Sequence, residues 1–149
     1  MMTIHDLLQQ KGTRVHTIAQ GETVAKAVGL LTKYHVGALI VTGEDSRPVG
    51  IVSERDILRF FDNNGAIVGK NLVEHIMTPE SRMIVITPDD TVDYAMGIMT
   101  QNRIRHLPVI KNGALAGIVS IGDMIKSLLS ATTRENKMLS DYIQGSYPA

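Results

Sequence analysis

The sequence predicts a mixed α+β protein made of two tandem β-α-β-β-α repeats that pack through their sheets with pseudo-twofold symmetry. The main observation is that residues 50–56 (Gly-Ile-Val-Ser-Glu-Arg-Asp) recur as residues 117–123 (Gly-Ile-Val-Ser-Ile-Gly-Asp). A second is that Thr23-Val24 recurs as Thr91-Val92 at an offset of 68, which falls to 67 across the tighter turn at Lys111-Asn112-Gly113. Each unit is too small to bury both faces of a sheet alone, so we expect the two units to cover each other.

The elements of the first repeat follow from apolar periodicity and turn residues. A short helix at 3–10, capped by Thr3 and ended by Gly12, precedes the repeat. The repeat itself is predicted as a strand at 15–18, a helix at 23–35, strands at 36–41 and 49–52, and a helix at 53–61. The run 36–41 is almost wholly apolar, which is typical of a strand buried on both faces.

The second repeat has the same predicted layout, ending in a helix that runs to about residue 129. A short helix is predicted at 71–77 in the linker, and a further helical stretch after residue 130 is expected to pack on the body or on a partner subunit. The predicted organisation is therefore an N-terminal helix and lead-in at 1–14, repeats at 15–64 and 83–129, a linker at 65–82 and a C-terminal helical tail at 130–149.

Composition excludes several classes of function. The 149 residues are 44% hydrophobic and 20% charged, and 15 basic residues balance 15 acidic ones, so no basic field is available for nucleic acid or an anionic membrane. The chain lacks cysteine, and its five histidines include no pair at metal-ligand spacing, so no metal site is expected. No signal pattern or membrane-length apolar run is present, and a cytoplasmic location is the default expectation.

The repeated Ser-x-x-Asp turns, Ser53 with Asp56 and Ser120 with Asp123, allow two interpretations. Each turn follows a short apolar strand and precedes a helix, so it matches a capping box that merely stabilises the helix N-terminus. The same geometry presents a hydroxyl and a carboxylate where a ligand can bind. The recurrence of both residues at one offset favours the binding interpretation without excluding the cap.

The duplicated apolar strand with its Gly-Ile-Val-Ser-x-x-Asp turn, together with the Arg-His-Leu-Pro-Val run at 105–109, resembles the cystathionine-β-synthase (CBS) domain pair, or Bateman module. The resemblance covers about residues 15–129. The Ser-Glu-Arg-Asp form followed by Arg59 is similar to stand-alone bacterial CBS proteins, which have no attached enzyme or channel. It implies a homodimer that binds an adenine nucleotide, namely AMP, ADP, ATP or NAD(H), with no catalytic cofactor.

The resemblance also implies site residues. Asp56 and Asp123 fall where the family binds the ribose diol, to which a carboxylate can bind through both hydroxyls. Ser53 and Ser120 fall where a hydroxyl meets phosphate or ribose. The cationic residues assigned to phosphate, close to the first adenine slot, are Lys11, Arg14 and Arg55. The family's two adenine slots correspond to His16, Val36, Gly37 and Ala38 in one unit, and to Ile84, Ile104, Arg105, His106 and Pro108 in the other.

Alignment of the two halves indicates that the sites differ. Arg105 and His106 occupy the positions that Gly37 and Ala38 hold in the first repeat, and Arg103 stands opposite His35. We therefore expect one nucleotide to be held mainly through phosphate and the other mainly through base and ribose.

We expect one of three functions. The favoured one is a non-catalytic regulatory protein that senses an adenine nucleotide and shifts its conformation, for a target the sequence does not identify. The alternative is a structural dimerisation module with empty clefts, which the retention of two half-buried aspartates disfavours. An enzyme is disfavoured because the chain has no phosphate-binding Walker loop, carboxylate cluster or serine–histidine–aspartate set.

Overall fold

The computed structural model describes residues 1–65 and 71–130, so the predicted tail at 130–149 lies outside the described residues except for its first residue. Two repeats with mixed helices and strands are present, as predicted. The helices are α1 (Ile4–Lys11), α2 (Val24–Tyr34), α3 (Glu54–Asn64), α4 (Val92–Asn102) and α5, which is helical from 121 to 130. The strands are β1 (Thr17–Ala19), β2 (Ala38–Thr42), β3 (Pro48–Ser53), β4 (Thr78–Pro79), β5 (His106–Lys111) and β6 (Ala114–Ser120).

The sheet of the first repeat has the order β1-β2-β3-β4. Strand β1 pairs with β2 in parallel, and the other two pairs are antiparallel. In β2, Leu39 and Val41 belong to the core that this repeat forms with its helices, whereas Ile40 on the opposite face is also fully buried. Both faces of β2 are therefore covered, which explains its unbroken apolar sequence.

The second repeat lacks the first strand that the sequence predicts. Only Ile86 pairs there, in a single parallel bridge to Val109 of β5. In the first repeat, Gln20 donates its N–H to Thr42, and Ile40 donates its N–H to His16. The equivalent residues 68 positions later are Pro88 and Pro108, which have no N–H to donate, so the ladder is lost on both sides of Ile86.

A short segment covers the core of each repeat, and each segment accepts a backbone hydrogen bond from the start of a helix. Asn71 accepts the N–H of Val24 at the start of α2, and Met2 accepts the N–H of Val92 at the start of α4. The linker thus covers the first repeat and the N-terminal segment covers the second. The helix predicted at 71–77 is a single 3-10 turn at Val73–His75, and the strand β4 that follows it was not predicted.

The predicted boundaries otherwise differ by a few residues. Helix α1 is capped by Thr3 and ends at Gly12, as the sequence predicts. Strand β1 begins two residues later than predicted, and α3 continues three residues beyond Phe61. Within residues 1–65 and 71–130, no helix combines the length and the apolar character needed to cross a membrane.

Candidate functional site

The two repeated aspartates are fixed by complete capping boxes. Asp56 accepts the backbone N–H of Ser53 through Oδ2 at 2.9 Å and donates its own N–H to Ser53 Oγ at 3.3 Å. Asp123 and Ser120 make the same two hydrogen bonds, at 2.8 and 3.1 Å. The capping interpretation is thus realised in both repeats. In the described part of the chain, neither Oδ1 atom accepts a hydrogen bond, so each carboxylate keeps one oxygen for a ligand.

The environment of Asp123 is cationic. Lys11 Nζ lies 2.6 Å from Asp123 Oδ2 and also donates to the carbonyl of Ile118 at 2.7 Å. Burial by itself would raise the pKa of Asp123. The hydrogen bonds from Lys11 and Ser120 and the charge of Lys11 outweigh burial, so the pKa lies below its ordinary value. Asp123 is therefore stably ionised and already paired.

In the part of the chain that the structure describes, Asp56 makes only a long ion pair, with Arg59. Arg59 Nη1 lies 3.9 Å from Asp56 Oδ1, beyond hydrogen-bond distance. Burial raises the pKa of Asp56, and the hydrogen bonds from Ser53 and the charge of Arg59 reduce that rise without cancelling it. The two aspartates therefore share a backbone geometry but differ in electrostatic environment.

Asp56 lies in a cleft of about 400 Å³ between the two repeats, which we call the Asp56 cleft. Its floor and walls come from β3 and α3 of the first repeat and from the α4–β5 connection and the start of α5 in the second. The residues that line it are Gly37, Ile51, Ser53, Glu54, Arg55, Asp56, Arg59, Thr78, Arg82, Met83, Ile84, Arg103, Ile104, Arg105, His106, Pro108, Ser120, Ile121 and Gly122.

Asp123 lies in a second inter-repeat cleft of about 300 Å³, the Asp123 cleft. Its residues come from α1 and the lead-in to β1, from the α2–β2 connection, and from β6 and the start of α5. They are Lys11, Arg14, His16, His35, Val36, Gly37, Ala38, His106, Ile118, Val119, Ser120 and Asp123. The ring of His16 is stacked on Tyr34 with centroids 4.1 Å apart, which fixes the orientation of the imidazole.

Every residue predicted for nucleotide binding lines one of these two clefts. Their grouping differs from the sequence prediction in one respect. Lys11 and Arg14 lie with His16, but Arg55 lies in the other cleft, where its Nη1 donates to the carbonyl of Arg103 at 2.8 Å. Arg55 is directed there because it follows Ser53 at the N-terminus of α3, which faces the second repeat.

Several lining residues were absent from the predicted set, and the repeat offset could have found the most polar of them. Arg82 lies 68 residues after Arg14, and His35 lies 68 residues before Arg103. Arg59 was noticed only as a mark of family resemblance, yet it lines the Asp56 cleft. Extending the offset from the motif to its flanking residues would have identified Arg82 and His35, whereas Arg59 corresponds to Lys126, which lines neither cleft.

The two clefts share a wall at Gly37, His106 and Ser120. A side chain at Gly37 would place its Cβ 2.8 Å from the His106 ring, so only glycine lets that ring sit against the backbone. Burial lowers the pKa of His106; the charges of Glu54 and Asp123 oppose this effect, whereas those of Lys11 and Arg105 add to it. His106 is therefore predominantly neutral at neutral pH.

Comparison with known proteins identifies the family. The CBS domain model matches twice, at residues 11–63 and 73–130. The chain is 40% identical over 151 aligned residues to the mitochondrial CBS domain-containing protein CBSX3 of Arabidopsis thaliana, covering 97% of this chain and 73% of that protein. It also matches the crystal structure of a CBS-domain containing protein from Agrobacterium tumefaciens, at 38% identity and a TM-score of 0.79, covering 83% and 91% of the two chains.

A more distant structural match is the crystal structure of CBSX2 in complex with AMP. It is 24% identical, with a TM-score of 0.69 and coverage of 87% of this chain and 98% of that one, so it supports the shared fold. Two matches to one domain model, over most of the sequence, agree with the internal repeat and with the paired clefts. This chain belongs to the CBS-domain family.

Proposed function

We propose that this protein is a non-catalytic regulatory module that binds adenine nucleotides in the Asp56 and Asp123 clefts. The observation that carries the proposal is the pairing, in each inter-repeat cleft, of a backbone-anchored aspartate that keeps one carboxylate oxygen available with cationic side chains. The free oxygen suits a ribose hydroxyl, and the cations suit phosphate. A ligand bound between two repeats can favour one relative arrangement of them, which is how a sensor works.

Family membership supports this proposal, because CBS-domain proteins are generally regulatory rather than catalytic. The CBSX2 structure adds that a protein of this fold binds AMP. AMP is accordingly our first candidate ligand, with ADP, ATP and NAD(H) sharing the adenosine group. We propose no chemical step, and prolonged incubation of the protein with ATP or NADH should leave both compounds unchanged.

The proposal is tested by thermal unfolding of nucleotide-free protein with AMP, ADP, ATP, NAD and NADH. A ligand at a hundred times its dissociation constant adds about 2.7 kcal/mol of stability, which corresponds to a rise in melting temperature of about 5 °C or more. Asp56→Asn and Asp123→Asn should each reduce the response of one cleft. Asp62→Asn, on the exposed side of α3 and outside both clefts, is the matched control. A panel in which no compound raises the melting temperature would refute the proposal.

A structural dimerisation module is the second candidate, and the capping boxes favour it. Because Ser53 and Ser120 already account for both aspartates, neither carboxylate requires a ligand for its position. This candidate predicts an unchanged melting temperature with every nucleotide and a stable dimer without any. The thermal panel therefore separates the two functions directly.

Both candidate functions include a homodimer. We propose this dimer because exposed apolar side chains on α3 recur at the equivalent positions of α5. Leu58 and Phe61 on α3 are 66% and 49% exposed, and the equivalent residues on α5, Ile125 and Leu128, are 46% and 40% exposed. Each pair lies 67 residues from its counterpart, so the two repeats present related apolar faces. A second copy of the chain, which carries the same two faces, is the occupant that matches this repetition.

A further inference from the structure

We propose, as an extension of the proposed function, that the Asp56 cleft is selective for ligands with two or more linked phosphates, and that the Asp123 cleft takes ligands with one phosphate at most. The observation behind it is an uneven distribution of arginine. The Asp56 cleft is lined by five arginines, Arg55, Arg59, Arg82, Arg103 and Arg105. Within residues 1–65 and 71–130, the Asp123 cleft is lined by one arginine, Arg14, and one lysine, Lys11.

The five arginines reach the Asp56 cleft from three separate parts of the fold. Arg55 and Arg59 lie on consecutive turns of α3, and Arg82 ends the 3-10 turn after β4. Arg103 and Arg105 lie in the connection between α4 and β5. All five are exposed, although Arg55 already donates to the carbonyl of Arg103 and Arg59 lies in a long ion pair with Asp56. Cations arranged around a cleft rather than in one row match a chain of phosphates better than a single phosphate.

Formal charge separates the clefts. In the Asp56 cleft, five arginines oppose Glu54 and Asp56, which leaves three positive charges with His106 neutral. Among the described residues of the Asp123 cleft, Lys11 and Arg14 oppose Asp123, so the lysine, arginine and aspartate side chains there leave one positive charge. A monophosphate carries too little charge to balance three, whereas a diphosphate or triphosphate carries enough.

The repeat alignment shows that the difference belongs to particular positions. Arg55, Arg103 and Arg105 correspond to Gly122, His35 and Gly37, so three of these arginines have a glycine or a histidine at the equivalent position of the other repeat. Arg82 corresponds to Arg14, the one position where both clefts keep an arginine.

The two clefts differ further because Lys11, one of the two cations of the Asp123 cleft, is already bonded within the protein. Its Nζ contacts both Asp123 and the carbonyl of Ile118, so a phosphate would compete with two existing partners. Arg82 and Arg105 differ in this respect. In residues 1–65 and 71–130, neither of these side chains makes a hydrogen bond or an ion pair within the protein. They are therefore available to a ligand without the loss of an internal contact.

The test uses inorganic phosphates, which carry no adenosine. Isothermal titration of the nucleotide-free full chain with orthophosphate, pyrophosphate and tripolyphosphate, in magnesium-free buffer, should show one tripolyphosphate site. We expect that site to bind at least about tenfold more tightly than orthophosphate, and to weaken as salt is raised. Arg82→Ala and Arg105→Ala should each lower tripolyphosphate affinity by about tenfold. Arg47→Ala, an exposed arginine outside both clefts, should not change it.

A nucleotide arm assigns the cleft and separates this proposal from the proposed function. With Asp123→Asn to weaken the second cleft, ATP should bind the remaining site more tightly than AMP, and tripolyphosphate should compete with ATP. AMP binding without tripolyphosphate binding would overturn the selectivity while leaving the nucleotide function intact. Tripolyphosphate binding without any nucleotide binding would support the polyphosphate site and refute the adenosine assignment. Equal losses for Arg82→Ala and Arg47→Ala would overturn the cleft assignment.

Discussion

At the scale of single residues, the two aspartates show how one local motif acquires two electrostatic roles. Ser53 with Asp56 and Ser120 with Asp123 cap their helices in the same way. Lys11, contributed by a distant helix, reaches only Asp123. The side chain of Asp56 is 11% exposed and that of Asp123 is 26% exposed, so the more buried carboxylate has the longer ion pair, 3.9 Å to Arg59 against 2.6 Å from Asp123 to Lys11. Asp56 is thus ionised at a cost that a bound ligand can offset.

We predict that Asp123→Asn lowers the free energy of unfolding of the nucleotide-free protein by about 1 kcal/mol, because Lys11 loses its ionic partner. Asp56→Asn should leave the free energy of unfolding unchanged or raise it slightly, since the substitution removes a buried charge. Urea unfolding of both variants beside Asp62→Asn measures the difference. A larger loss for Asp56→Asn than for Asp123→Asn would contradict this account.

The contributions of Asp123 and Asp56 to the free energy of unfolding should change with pH in opposite directions. The pKa of Asp123 is lowered in the folded protein, so its contribution to stability is present above the unfolded value of 3.8 and is lost as pH falls through the folded value. The pKa of Asp56 is raised, so its contribution is favourable in acid and is lost as pH rises through the raised value. The deficit of Asp123→Asn should therefore shrink between about pH 7 and about pH 3.

At the scale of secondary-structure elements, each repeat has a strand glycine that lies against a covering segment. The two repeats differ in whether backbone or a side chain makes the closest contact with that glycine. Gly50 of β3 lies under Met77 and Thr78, and Gly117 of β6 lies under Leu8 of α1. A Cβ at Gly50 would sit 2.6 Å from the Thr78 carbonyl oxygen, which belongs to the paired strand β4. A Cβ at Gly117 would sit 2.9 Å from Leu8 Cδ2, the end of a flexible side chain.

We predict that Gly50→Ala lowers the free energy of unfolding by about 2–3 kcal/mol, because backbone must move, and that Gly117→Ala lowers it by about 1 kcal/mol, because Leu8 can change rotamer. Gly97→Ala is the control. Its Cβ would meet nothing within 4 Å in the helix α4, so it should stabilise the protein by about 0.5–1 kcal/mol. Chemical denaturation of the three variants gives the order, and similar losses for Gly50→Ala and Gly117→Ala would show that β4 moves freely.

At the scale of the whole molecule, the two repeats differ on the side that faces the clefts and resemble each other on the outer helices. Arg55, Arg103 and Arg105 of the Asp56 cleft have a glycine or a histidine at the equivalent position of the other repeat, whereas the exposed apolar residues of α3 recur on α5. This combination fits a symmetric assembly of chains whose two ligand sites have diverged.

We predict that Leu58→Lys and Ile125→Lys each shift the protein from dimer to monomer, because a lysine placed in an apolar interface loses hydration without gaining a partner. Size-exclusion chromatography with light scattering measures the mass directly. Val85→Lys, at an apolar position that is 43% exposed and outside α3 and α5, should keep the mass of the wild type. Wild-type protein that elutes as a monomer would refute the dimer.

The sequence by itself determined the repeat, the family and both aspartates, because these depend on residue identity at a constant offset. The order of strand, turn and helix around Ser53 and Ser120 follows from local periodicity and capping, which act within a few residues. The loss of the first strand in the second repeat was also encoded locally, by Pro88 and Pro108. It was missed because periodicity records burial and does not record which N–H groups the ladder needs.

Only the tertiary structure decided which cations share a cleft. Arg55 lies within the first repeat and Arg14 directly precedes it, yet the two residues line different clefts. The salt bridge between Lys11 and Asp123 joins residues 112 positions apart, and the five arginines of the Asp56 cleft come from three separate segments. Such groupings depend on how the repeats pack against each other, and packing is set by the summed burial of both cores rather than by any local pattern.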